Sequence, residues 1–205
     1  MGCCVFVDQM SIRSGLVIKP DQSNATLRDH LRSRTRHAHD ILDKAMSSEC
    51  WTTPVGYARF LNAQYIARIS FERWAERACP ADLRPPLQSR LLQADMRELM
   101  VKETVPSQEF ALPDSASALG AVWALAGSSL GNAVILRSLS AEPTCAHLPT
   151  RFLSDNSMHE FWKALLPNLN QAYRPQSVEA ACNGALAVFS HFLDCVRSLD
   201  QRIAA

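Results

Sequence analysis

The segment ASALGAVWALAGSSLGNAVILRSL, residues 116–139, decides how this chain is read. It is apolar and proline-free over a length that suits a helix. Yet Gly120, Gly127 and Gly131, three of the chain's seven glycines, lie inside it. Each costs a helix interior roughly 1 kcal/mol relative to alanine. At about 100° per residue the three fall within about 40° of one another, with Ala116 and Ala124 on the same strip. Such a helix has one face almost bare of side chains, where a second helix or a flat ligand can approach its backbone. Ser128 and Ser129 flank the strip, with hydroxyls able to bond a ligand or the helix itself.

Outward from this segment the chain reads as all-α. Leu27, Leu31, Ala38, Leu42 and Ala45 recur at three- and four-residue spacing and predict a helix from about Ala25 to Met46. Thr53 and Pro54 are a cap and first-turn pair for a second helix, which Cys79-Pro80 ends. Pro85-Pro86 opens a third, to about Lys102. Asp114 or Ser115 caps the glycine-bearing helix. Another helix starts near Asp155 or Asn156 and is kinked or ended by Pro167. A last one runs from about Gln176 to Arg202. Residues 1–24 carry no clear period and read as a tail, with a short strand-like piece at Leu16–Ile18. Residues 25–205 read as one helical domain.

Composition narrows the function. The 205 residues carry 21 Lys/Arg and 20 Asp/Glu, so bulk charge points to neither nucleic acid nor a membrane surface. Seven cysteines occur without a CxxC pair, which argues against zinc and disulfide frameworks and fits a reducing cytoplasm. No apolar run is read as transmembrane, and no secretory leader is recognisable. Positive charge gathers at Arg28, Arg32, Arg34 and Arg36.

Three of the six histidines, His30, His37 and His39, sit on the first helix and border its apolar stripe. Arg28, Arg32 and Thr35 share the side of His39. Arg32 and His39 are seven residues apart, roughly 10 Å along a helix. That separation suits a cofactor with a metal at its centre and carboxylates at its edge. A neutral imidazole is a suitable axial ligand, and arginine is a suitable carboxylate partner. The alternative is a boundary histidine that binds nothing.

Taken together, the two stretches resemble a known family. Leu31 to His39, LRSRTRHAH, is similar to the proximal-helix signature L-[KR]-x-x-T-x-x-x-H of haem oxygenases. Trp123 to Ala133, WALAGSSLGNA, resembles the bacterial distal signature Y-V-x-E-G-S-x-L-G-[GA]-x. The order and interval match, and the likeness spans roughly residues 25–200. It is nearest to bacterial, biliverdin-producing enzymes of the kind that accompany bacteriophytochromes. The distal stretch departs from the pattern at Trp123, Ala126 and Asn132.

The resemblance implies haem, as both substrate and cofactor, sandwiched between a proximal and a distal helix. His39 would be the iron ligand and Arg32 the propionate partner, ahead of Arg28 and Lys163. Thr35 belongs to the proximal motif. Gly127 and Gly131 would carry the distal backbone close over the haem, with Asn132 able to contact a ligand. Ser128 would help to organise the water that supplies protons. The implied activity is cleavage of haem to biliverdin with release of iron and CO. It consumes O2 and electrons from an external ferredoxin, flavodoxin or reductase, and a bacteriophytochrome is a possible acceptor. The alternatives are a non-catalytic haem sensor or carrier on the same fold, another enzyme of that fold, and a ligand-free helical module.

Overall fold

The architecture is given by a computed structural model, which describes residues 25–47, 51–106 and 108–204. The expected tail and its strand-like piece at Leu16–Ile18 lie outside the described residues. Within them the chain is helical and contains no strand. Eight α-helices run in order: α1 Leu27–Met46, α2 Pro54–Ala78, α3 Ser89–Glu98, α4 Ala118–Gly127, α5 Asn132–Ala141, α6 Arg151–Ser154, α7 Ser157–Leu169 and α8 Pro175–Ala204.

Local chemistry accounts for most of the boundaries. Thr26 and Asp29 form a reciprocal capping box at the start of α1: Thr26 Oγ1 accepts from the Asp29 amide, and the Asp29 carboxylate accepts from the Thr26 amide. Thr53 accepts from the Gly56 amide and Pro54 occupies the first position of α2. α3 begins later and ends earlier than its sequence suggests. Its first amides, of Gln88 and Ser89, are held at 2.7 and 2.9 Å by the Glu72 carboxylate from α2. It stops in a Schellman turn, with Val101 N–H bonded to Met96 C=O, Met100 N–H bonded to Arg97 C=O, and Met100 at φ 55°. Asp95 does for α6 what Glu72 does for α3, accepting the Arg151 and Phe152 amides at 3.1 and 2.9 Å. In both cases a buried carboxylate satisfies helix N–H groups that have no partner of their own.

α8 is the long element against which α1 and α4 pack, and α2 also lies on it. The contact with α4 is backbone on backbone. A Cβ added at Gly120 would sit 1.7 Å from the Ala181 carbonyl oxygen, and one added at Gly184 would sit 2.0 Å from that of Ser117. The two helices therefore share a reciprocal glycine contact. α2 is buried nearly all round, as expected of a helix at the centre of the fold. Arg59 on α2 forks onto Asp200 of α8 at 2.8 and 2.9 Å and also donates to the Ala45 carbonyl at the end of α1.

The path Ser115–Ala141, which contains the glycine segment, is long and apolar enough to cross a membrane, with a mean hydropathy of 1.6. This corrects the expectation that no run reaches that length. Much of this path is buried within the protein, where α4 packs on α8. Nor is it a single α-helix. Between α4 and α5, Ser128–Gly131 tighten into a 3-10 turn.

Candidate functional site

The 3-10 turn is the local feature on which the site depends. Where the hydrogen-bond step shortens, hydroxyls take up helix carbonyls three residues back. Ser128 Oγ donates to Leu125 C=O at 2.6 Å and Ser129 Oγ to Ala126 C=O at 2.7 Å. A 3-10 interruption inside a longer helical run commonly marks a functional position.

This turn and α1 face one another across a cavity of about 670 Å³, including its open mouth. α1 contributes His39, Leu42, Asp43 and Met46. The opposite wall is Trp123, Ala124, Gly127, Ser128 and Leu130. Trp162 of α7 and Phe189 and Phe192 of α8 close the space between them, and Gln64 enters from α2. The lining is mostly aromatic and aliphatic, with a few polar groups, as flat hydrophobic ligands require.

His39 is held in two ways. Its ring meets Phe189 edge-on, with centroids 5.8 Å apart, and its Nδ1 lies 3.1 Å from the Asp43 carboxylate one turn on. A carboxylate on one ring nitrogen sets the tautomer that presents Nε2 to a metal and makes that nitrogen a stronger donor. On the far wall, a Cβ added at Gly127 would meet only Trp162, at 3.4 and 3.9 Å. Chain packing does not demand glycine there as it does at Gly120. What the missing side chain preserves is cavity space. These two observations, an oriented imidazole facing a bare stretch of helix across an apolar gap, fit haem.

The structure thus brings His39, Gly127 and Ser128 to one cavity. Arg32, Thr35, Gly131 and Asn132 stand outside its lining. Arg32 lies about two turns before His39 on α1. Thr35 is buried and its Oγ1 donates to Leu31 C=O at 2.8 Å. Gly131 closes the 3-10 turn. Asn132 opens α5, with its amide nitrogen buried and lacking a hydrogen-bond partner. Lys163 pairs with Glu160 at 3.0 Å.

Three polar groups escaped the sequence reading: Asp43, Gln64 and Arg68. Asp43 could have been found from its i,i+4 spacing to His39. Arg68 could not, because nothing in the local sequence distinguishes it from a surface arginine of α2. It is 1% exposed. Its Nε donates to Gln64 Oε1 at 3.1 Å, its Nη2 to Ser128 Oγ at 2.7 Å, and its guanidinium lies 5.0 Å from the Phe152 ring centre. Burial pushes its pKa down to about 10, against the pull of Glu72 and Asp155.

Among solved structures, the chain is similar to the NO- and CO-bound haem oxygenase from Neisseria meningitidis, with a TM-score of 0.69 over 85% of this chain and 92% of that one. The fold is that of a haem oxygenase. Sequence identity is only 19%, so the likeness concerns architecture. No family model and no curated protein matches the sequence.

Proposed function

We propose that this chain is a biliverdin-producing haem oxygenase, taking haem into the cavity with His39 as the iron ligand. The observation that carries the reading is His39, oriented by Asp43, facing Gly127 across one apolar cavity in a haem-oxygenase fold. Bound haem would supply the iron at which dioxygen is reduced, and the ring would be opened with release of iron and CO. Leu42, Trp162, Phe189 and Phe192 would cover the porphyrin faces and keep bulk water out. Gly127 would leave room for a small ligand between the distal wall and the iron. Arg32 is the proposed partner of the haem carboxylates. Thr35 would act through α1, where its hydroxyl holds the Leu31 carbonyl. Gly131 and Asn132 would act through the turn they bound. Electrons would come from a ferredoxin, flavodoxin or reductase, for which exposed Arg34 and Arg36 on α1 offer a basic approach. A bacteriophytochrome is the proposed biliverdin acceptor, and the reducing cytoplasm the proposed compartment.

The test is a haem titration of the wild-type protein and His39→Ala, followed by ascorbate or a reductase in air. A histidine-type spectrum, lost in His39→Ala, that gives way to biliverdin and CO is the expected result. His39-dependent binding without ring opening would instead identify a haem sensor or carrier. Failure of the wild-type protein to bind haem would refute both.

A further inference from the structure

The hydrogen bonds of the distal wall assign donors and acceptors in a way the sequence does not suggest. Arginine only donates, so Arg68 Nη2 must give a proton to Ser128 Oγ. The single Ser128 hydroxyl proton is directed to Leu125 C=O, 2.6 Å away. Towards the cavity, Ser128 therefore offers a lone pair and no proton. The same constraint fixes Gln64. Because Arg68 Nε can only donate, the side-chain oxygen of Gln64 must face it, and the amide NH2 must point the other way. Gln64 lines the cavity. Its NH2 has no hydrogen-bond partner among the described residues and is not among the sealed-off polar atoms. Gln64 therefore keeps this NH2 as an unused donor on a residue of the cavity wall.

We infer that Gln64 is the hydrogen-bond donor to the small ligand bound on the distal side, and that Arg68 is the positioning residue that turns its amide that way. This rests on the haem reading above and adds a direct donor, Gln64, beside the water-organising role that the distal motif suggests for Ser128. A buried guanidinium with no directly bonded carboxylate strengthens the arrangement. Nη1 is buried and has no partner, so the hydrogen bonds of the guanidinium go to Gln64 and Ser128 alone.

The decisive variant is Gln64→Glu. A carboxylate still accepts from Arg68, so the α2 and distal-turn contacts survive, but its ionised form has no proton to donate. In the ferrous CO complex, Gln64→Glu and Gln64→Met are expected to raise the C–O stretching frequency. They should also speed dioxygen dissociation about tenfold, the equivalent of one hydrogen bond. Ser128→Ala is expected to leave the C–O stretch near its wild-type value. Arg68→Met, which leaves no donor to hold the Gln64 oxygen, should reproduce the Gln64 effect without touching the ligand. A C–O stretch that moves with Ser128→Ala and not with Gln64→Glu overturns the assignment.

A haem-free measurement separates this inference from the functional reading. In the apoprotein, the Gln64 side-chain amide should give distinct nitrogen–proton NMR signals that collapse to random-coil positions in Arg68→Met. Unchanged signals overturn the role of Arg68. If the wild-type protein binds no haem, the functional reading and the donor role fall together. The NMR result still decides whether Arg68 orients Gln64.

Discussion

Gly120 and Gly127 occupy the same strip of the helical wheel, yet alanine should act oppositely at the two. At position 120 the new Cβ would lie 1.7 Å from the Ala181 oxygen, 2.4 Å from its carbonyl carbon and 2.8 Å from its Cα. Ordinary contact begins near 3.4 Å, so α4 and α8 would have to separate by about 1.7 Å. The obstacle is backbone and cannot rotate away. Overpacking of this kind costs roughly 1–3 kcal/mol and sometimes more. The better helix propensity of alanine returns at most about 1 kcal/mol. A net loss of about 1–2 kcal/mol is expected, a sizeable share of the roughly 5–15 kcal/mol that holds a domain together. For a chain of this size that is a fall in Tm of roughly 2–8 °C. At position 127 the Cβ would meet Trp162 at 3.4 Å, a contact the ring can accommodate. There the propensity gain should prevail, leaving the apoprotein unchanged or up to about 1 kcal/mol more stable, while haem or ligand binding weakens. Urea unfolding of the apoproteins followed by circular dichroism, with m-values compared, measures both. A Gly120→Ala protein as stable as wild type, or a Gly127→Ala protein equally destabilised, would refute the division of the strip into packing and cavity glycines.

Three further outcomes are expected. Asp43→Ala should weaken haem binding about 10- to 100-fold and lower the iron–histidine stretching frequency, because the carboxylate on Nδ1 is lost; an unchanged frequency would mean that Asp43 does not act on the ring. Met100, 93% exposed at φ 55°, should be replaceable by glycine with a gain of about 1 kcal/mol, read from the denaturation midpoint. His191 is buried between Phe110 and Phe192, and burial pushes its pKa below the usual 6.5 despite its bond to Ala67 C=O. The unfolded chain then binds the extra proton first, so stability should fall as pH drops below 6.5, and fall less in His191→Gln when unfolding is measured across that range.

Much of the fold was legible because its signals are local. Thr53-Pro54 begins α2 and Cys79-Pro80 ends it where expected. The start of α3 was not legible, since it depends on Glu72, sixteen residues away in sequence. The glycine strip was half legible for a geometric reason. The wheel advances about 100° per residue in an α-helix but about 120° in a 3-10 turn, so four residues of turn rotate α5 by roughly 80° relative to α4. That rotation accounts for Leu130 reaching the cavity lining while Gly131 and Asn132 do not. Nothing in the sequence announces the change, because the dihedrals at Gly127 and Gly131 remain in the right-handed helical region. Arg68 was illegible for another reason: its meaning comes from Ser128, sixty residues distant, and from the ring of Phe152.

The way α1 and α4 both rest on α8 gives the last helix the role of a caliper. The imidazole belongs to one jaw, the bare helix to the other, and Phe189 and Phe192 stand in the gap. The gauge of that gap is therefore written in residues that need never touch a metal or its ligand. Mutation along α8 could thin or thicken the slot by fractions of an ångström, retuning which planar molecules enter and how tightly they are gripped, while both working faces stay as they are.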